Sequence, residues 1–142
     1  MRVRLKKLQE NAVLPNYSKP GDAGLDLTAI SMKIVDNNDS GYVEYDTGLS
    51  VEIPEGYVGL LFPRSSISNS GLILSNSVGV LDSGYRASVK FRFKHIPNTA
   101  FYQVGDRIGQ IIIVPYPQIE FNVVEELSST ERSEGGFGST GL

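Results

Sequence analysis

"SVKFRFK", Ser88 to Lys94, puts Val89, Phe91 and Phe93 on one parity and Ser88, Lys90, Arg92 and Lys94 on the other. A period of two is the signature of a strand with one buried face. Downstream, "IGQIIIVP", Ile108 to Pro115, is almost continuously apolar, which suits a strand covered on both faces. Outward from these two runs, "RVRLKKL", "LDLTAI", "MKIV", "YVEYDTGLSVEI", "YVGLLFP" and "GLILSNSVGVL" are short and rich in β-branched, leucine and aromatic residues. Turn chemistry separates them: "KPGDAG", "DNNDSG", "IPEGY", "SNSG" and "LDSGYR" each hold residues that tolerate positive φ or preset a bend. No segment carries a helical stripe longer than about two turns. The expectation is an all-β fold of the sandwich, jelly-roll or barrel kind.

With 142 residues and 40% hydrophobic content, the chain has the size and apolar fraction of one compact core. From about Ser128 the composition turns to Ser, Gly and Glu, so residues 128–142 are expected to be mobile unless something orders them. The absence of cysteine removes disulfides, thiolate zinc sites and cysteine nucleophiles together, and His95, the single histidine, leaves no ligand set for a transition metal. A net charge of −3 argues against a broad basic surface for nucleic acid polymers or anionic lipid. There is no apolar run of about 18 residues, and "MRVRLKKLQENAVLP" lacks the apolar region of a signal peptide. A soluble, cytoplasmic protein is expected.

Five segments place polar or glycine residues where a strand or turn would be ordinary. "GDAGLDL", Gly21 to Leu27, brings Asp26 to the mouth of a strand, either as an Asx-type turn or as a holder of magnesium or its water. "FPRSSIS" breaks a strand at Pro63 and delivers Arg64, Ser65 and Ser66, a phosphate-binding composition or a solvated loop. "NSVGVLDSGYR" ends an apolar approach in Asp82, which is either the acceptor in a hairpin turn or a partly buried general base, with Tyr85 three residues on. In "GDRIGQIII", Asp106 and Arg107 read as a turn with local charge pairing, and the Gln110 amide must find partners in main chain or ligand. The last, "RSEGGFGSTGL", lacks the lysine and spacing of a phosphate-binding Walker loop. Its glycines, Arg132, Ser139, Thr140 and Phe137 have the composition of a lid or of an incidental tail.

In order and spacing the five segments resemble the five motifs of the trimeric dUTPases, from "LPNYSKPGDAGLDL" to the last residue. The resemblance implies a distorted jelly-roll subunit of residues 1–127, a homotrimer with active sites between subunits, and an arm, 128–142, that crosses to a neighbour and closes over nucleotide. The implied reaction is hydrolysis of dUTP to dUMP and pyrophosphate, which lowers dUTP and supplies the dTMP precursor. Carried over by motif, Asp82 is the base that activates water, and Tyr85 packs on the deoxyribose and rejects a 2′-hydroxyl. The stretch from Asn76 to Tyr85, with Val80 and Leu81, reads uracil largely through backbone groups, and Lys90 joins the substrate contacts. Arg64, Ser65, Ser66 and Gln110 match phosphate contacts, and Arg132 matches the γ-phosphate contact of the arm. Phe137 would stack on uracil, beside Gly138 and Ser139. Magnesium is the implied cofactor, held through water by Asp26. Such an ion and a few arginines would let an acidic chain bind a triphosphate.

The pattern departs from the family at Leu25, Gly84, Ala87 and Ser133, where an aromatic, an acid, a glycine and a glycine are usual. None of these removes a proposed catalytic group. Two other readings are a relative of the dCTP deaminases and a regulatory member acting through a protein partner, with "MKIVDNNDSGYVEYD" as the surface for it. A viral source would extend the expected location to the nucleus or host-cell cytoplasm.

Overall fold

Alternating side chains force the chain into layers, because each strand has one apolar face to bury. The computed structural model describes residues 1–35 and 41–134. Among them are ten strands: β1 (Arg4–Lys7), β2 (Leu25–Thr28), β3 (Ser31–Val35), β4 (Tyr42–Asp46), β5 (Leu49–Glu52), β6 (Tyr57–Phe62), β7 (Leu72–Leu74), β8 (Gly79–Leu81), β9 (Lys90–His95) and β10 (Arg107–Pro115). One 3-10 turn, Ser65–Asn69, follows β6. No helix among the described residues is long and apolar enough to cross a membrane.

Two four-stranded sheets, in the orders β2-β10-β6-β8 and β3-β4-β9-β7, are accompanied by the pair β1-β5. Pairing is antiparallel throughout. Strand β9 buries Phe91 and Phe93 and exposes Lys90, Arg92 and Lys94, as its alternation predicts. Against them pack Val43 and Tyr45 of β4, Leu72 and Leu74 of β7, and Leu27, Leu61, Ile108 and Ile111 of the other sheet, in one core. The Tyr45 ring meets Phe93 edge-on at 5.8 Å, and its hydroxyl donates to the Tyr102 carbonyl at 2.8 Å. Burial, with Asp106 and Tyr102 nearby, pushes the Tyr45 hydroxyl up to about 12, so it stays neutral.

Two runs that read as single strands are each divided. "YVEYDTGLSVEI" breaks after Asp46, where the Thr47 hydroxyl donates to the Val89 carbonyl at 2.8 Å; β4 stays in its sheet and β5 leaves to pair with β1. "GLILSNSVGVL" turns through Ser77, whose φ is 60°, so that β7 borders β9 while β8 borders β6. Both sheets face one core, so a run that supplies apolar residues to both must cross between layers at a polar turn.

Strand β10 lies between β2 and β6, and its Gly109 passes against a core ring: a Cβ there would stand 2.3 Å from Phe91 Cε1. Phe91 is only 1% exposed and has no room to retreat. Gly109→Ala should therefore destabilise the fold by about 1–3 kcal/mol through overpacking. Chemical denaturation would measure this, and an unchanged midpoint would contradict the packing described.

Candidate active site

Strand register assembles the first half of the site. Gln110 of β10 stands opposite both Asp26 of β2 and Phe62 of β6, so three strands present these positions side by side. Pro63 ends β6 and turns out Arg64, Ser65 and Ser66. Asp26 is 8% exposed. Its Oδ1 accepts from Arg64 Nε at 2.9 Å, and its Oδ2 accepts from Arg107 Nη1 at 2.9 Å and from the Ser18 hydroxyl at 2.9 Å. The Gln110 amide donates to the Pro63 carbonyl at 3.1 Å. Ser18, Asp22, Gly24, Arg64, Ser65 and Gln110 edge the resulting groove of about 380 Å³. Arg64 spends only its Nε on Asp26, so its two terminal nitrogens remain for an anionic ligand.

Three members of this cluster were not assigned to the site from the sequence, one of them, Arg107, having been read as the turn partner of Asp106. Arg107 does not pair with Asp106: it crosses to Asp26, while Asp106 accepts from the Gln103 backbone at 2.7 Å. A register shift between Arg107 and Gly109 re-aims the side chain, and no sequence pattern announces such a bulge. Ser18 lies eight residues before Asp26 and meets it only because the chain folds back. Gly24 leaves the space that the Gln110 amide occupies: a Cβ there would lie 2.0 Å from Gln110 Oε1.

Magnesium prefers a few carboxylates, water and a ligand's phosphates to an all-protein cage. Both oxygens of Asp26 are already engaged, but Oδ1 has a single donor and can accept one more hydrogen, as a metal-bound water would offer.

The second half forms around β8. Asn76, Tyr85, Lys90, Glu44, Ser75 and Arg92 edge a groove of about 430 Å³ that shares no lining residue with the first. The Tyr85 backbone N–H donates to the Asp82 carbonyl at 3.0 Å, closing the expected turn, but β8 pairs with β6 rather than with a following strand, so the turn is not a hairpin's. Asp82 is exposed, not half-buried as expected, because the apolar residues before it turn alternately inward and outward. Leu81 is buried, so only its backbone can face a ligand, whereas Val80 is exposed. Gly84 has open space around it.

Lys90 Nζ sits 3.2 Å from Glu44 Oε1 and 3.5 Å from Asp46 Oδ2. Burial pushes Glu44 up, but hydrogen bonds and charge from Arg92 and Lys90 outweigh it and hold the carboxyl below its ordinary 4.5. The hydrogen bond to Glu44 chiefly raises Lys90 above its ordinary 10.5.

Asp82 and Arg64 lie at opposite ends of one strand pair. Leu81 faces Gly59, so Asp82 continues toward the start of β6, whereas Arg64 follows its end. At about 3.3 Å per residue, that offset amounts to roughly 20 Å. After β10 the described chain has no strand, and Ile119, Phe121, Val123 and Leu127 are exposed. Arg132 is exposed beside Ser133, whose φ of 47° is the conformation a glycine would favour. Phe137, Gly138 and Ser139 lie outside the described residues.

The family model described as dUTPase matches residues 10–141. The chain is 38% identical over 144 residues to the deoxyuridine 5′-triphosphate nucleotidohydrolase of Hydrogenobaculum sp., covering 100% of this chain and 99% of the relative. It is 39% identical over 131 residues to that of Bordetella avium, covering 90% and 88%. Among solved structures, the Staphylococcus bacteriophage 80alpha dUTPase with dUPNHPP superposes with a TM-score of 0.82 at 30% identity, covering 99% of each chain. A dUTPase variant from phage phi11 of S. aureus, described for its coordination of a structural Mg(II) ion, gives 0.72 at 25% identity over 89% of this chain and 98% of the phage protein.

A methyl group at residue 24 would displace the Gln110 amide, the free end of a side chain, at little cost to the fold. Gly24→Ala should weaken affinity for inorganic tripolyphosphate by about tenfold with the melting temperature nearly unchanged; calorimetry showing full affinity would remove Gln110 from the anion site. Glu44 has a lower folded than unfolded pKa, so its stabilising share is present above its ordinary 4.5 and fades as the pH falls through the folded value. Melting curves from neutral pH to about pH 3 should show a shallower acid limb in Glu44→Gln than in the wild type. Superimposable acid limbs would contradict the pairing.

Proposed function

The chain belongs to the dUTPase family and is a dUTP diphosphatase, and we propose that it works with Asp82 as general base and the Asp26, Arg64 and Gln110 cluster as its phosphate clamp. Water attacks the α-phosphorus, its proton passes to the exposed Asp82 carboxylate, and the bond to the bridging oxygen breaks to release dUMP and pyrophosphate. What carries the assignment is the register that sets Gln110 and Arg64 around a buried carboxylate. Arg64 is thereby oriented before substrate arrives, with donors to spare for phosphate oxygens, and Ser65 and Ser66 add hydroxyls and backbone N–H groups. Tyr85 is the sugar-reading ring, and the backbone from Asn76 through Val80 and Leu81 reads uracil beside Lys90. Selection by such a site rests on leaving a wrong base's polar groups unpaired.

Magnesium, when bound, neutralises triphosphate charge, and Asp26 would hold it through water. The offset between Asp82 and Arg64 favours a site completed by another copy of the chain. The exposed alternation of Ile119, Phe121 and Val123 favours docking of that segment on a neighbour. Accordingly the chain forms a homotrimer, residues 1–127 are the β domain, and 128–142 are the arm that brings Arg132, Phe137, Gly138 and Ser139 over the nucleotide. For the phage 80alpha enzymes a role in controlling transfer of virulence genes is described. The segment that could serve a partner here, between β3 and β4, includes residues 36–40, outside the described residues.

Pyrophosphate release with magnesium, measured separately for dUTP, dTTP, dCTP and UTP, tests the reading. Cleavage confined to dUTP is expected; equal or absent cleavage of all four would reject it. Asp82→Asn keeps the side chain's shape and removes the base, so kcat should fall by about 10²–10⁴ while dUMP affinity is retained. Turnover at the wild-type rate would remove Asp82 from the role.

A further inference from the structure

A line of contacts runs behind the second groove, joining Tyr85 and Lys90 through a residue that lines neither groove. The Tyr85 hydroxyl donates to the Ser88 carbonyl at 3.0 Å. The Ser88 hydroxyl in turn donates to Asp46 Oδ1. The Gly48 backbone N–H donates to the same oxygen at 2.8 Å, which holds the carboxylate in one orientation. The other oxygen, Oδ2, lies 3.5 Å from Lys90 Nζ. Register makes this arrangement specific, since Asp46, the last residue of β4, stands opposite Lys90, the first residue of β9. Glu44 stands opposite Arg92, pairs with it at 2.7 Å, and takes Lys90 from the other side at 3.2 Å.

We propose that Asp46 is a positioning residue for sugar recognition, tying the Ser88–Tyr85 loop and Lys90 into one preorganised wall of the groove. The proposal rests on the reading of Tyr85 as the ring that meets the deoxyribose. Discriminating against one added hydroxyl requires that ring to be held closely, because a ring free to retreat admits the larger sugar. Tyr85 is 38% exposed, so packing alone does not fix it. Its hydroxyl is anchored to a carbonyl in its own loop; the Ser50 hydroxyl holds that loop at the Arg86 carbonyl at 2.7 Å, and the Ser88 contact with Asp46 is the tie next to the carbonyl that Tyr85 uses. Half-exposed ion pairs such as Lys90 with Asp46 contribute little to stability, so their effect is sought in recognition. One carboxylate serving a loop and a strand couples the two: disturbing Asp46 moves both walls, while disturbing Ser88 loosens only the loop segment under Tyr85.

Three variants separate these contacts in the whole chain. Ser88→Ala keeps the carbonyl that Tyr85 uses and the pair of Lys90 with Asp46, and removes only the hydroxyl tie. Asp46→Ala removes the carboxylate's contacts with Ser88, Gly48 and Lys90 together, and Asp46→Asn keeps an oxygen for Ser88 and Gly48 while discharging the side chain. Calorimetric titration with dUMP and with UMP gives the preference for the 2′-deoxy sugar, and kcat/KM for dUTP against UTP gives it again in turnover. Ser88→Ala and Asp46→Ala should each reduce the preference by about tenfold, with Asp46→Asn losing less. A merely structural role would weaken both ligands equally and leave the ratio unmoved, and that result, with a wild type that prefers dUMP, overturns the proposal alone. A wild type that binds dUMP and UMP equally overturns the sugar-reading assignment of Tyr85 and this proposal with it. Should Asp46→Ala fail to fold, Ser88→Ala decides by itself.

Discussion

A carboxylate nearly withdrawn from water between two arginines is the constraint on which this molecule's chemistry depends. Burying a charge is tolerable only when it is paired and hydrogen-bonded. Asp26 meets that condition by drawing in Arg64 from the loop after β6, Arg107 from the start of β10, and Ser18 from the segment before β2. Three parts of the chain distant in sequence are thereby fixed around one point, and the backbone of Asp26 adds a fourth contact through its N–H to the Asn16 carbonyl at 2.9 Å. Removing one partner from such a cluster costs on the order of 3–5 kcal/mol, because the remaining charge is stranded. In a chain of net charge −3, the same cluster gathers two cations around one carboxylate. Asp26 holds them in place without consuming all their donors.

The second organising fact is the distance between chemical groups along β6 and β8. The strand pair that positions Arg64 at one end positions Asp82 at the other. Under the proposed assignment, a triphosphate nucleotide would be gripped and attacked by groups from different copies, which would make catalysis depend on assembly. The stretch after β10 leaves Ile119, Phe121, Val123 and Leu127 facing solvent, which is consistent with the same proposal.

Much of the fold was legible because strand parity is a local property. The run "SVKFRFK" declared its buried face, and the structure buries Phe91 and Phe93 as read. What escaped was long-range. Whether "YVEYDTGLSVEI" and "GLILSNSVGVL" are one strand or two depends on which layer each half must face, and that is settled only when both sheets exist. Asp26, Arg64 and Gln110 were found through their motifs. Arg107 was assigned to its sequence neighbour because a bulge cannot be seen in one strand alone. Glu44 and Asp46 carried no motif at all; their link to Lys90 exists only through the register of β4 on β9.

Mixing two crippled chains tests the shared site most directly. Asp82→Asn lacks the base and keeps the clamp, and Arg64→Ala keeps the base and lacks a clamp residue, so each alone should be nearly inactive. Unfolded together in equal amounts and refolded as random trimers, they should recover up to about a quarter of wild-type dUTP hydrolysis, because that fraction of sites draws an intact base from one copy and an intact clamp from another. A mixture as inactive as either parent, with mixed assemblies demonstrably formed, would place the whole site within one chain and contradict the account.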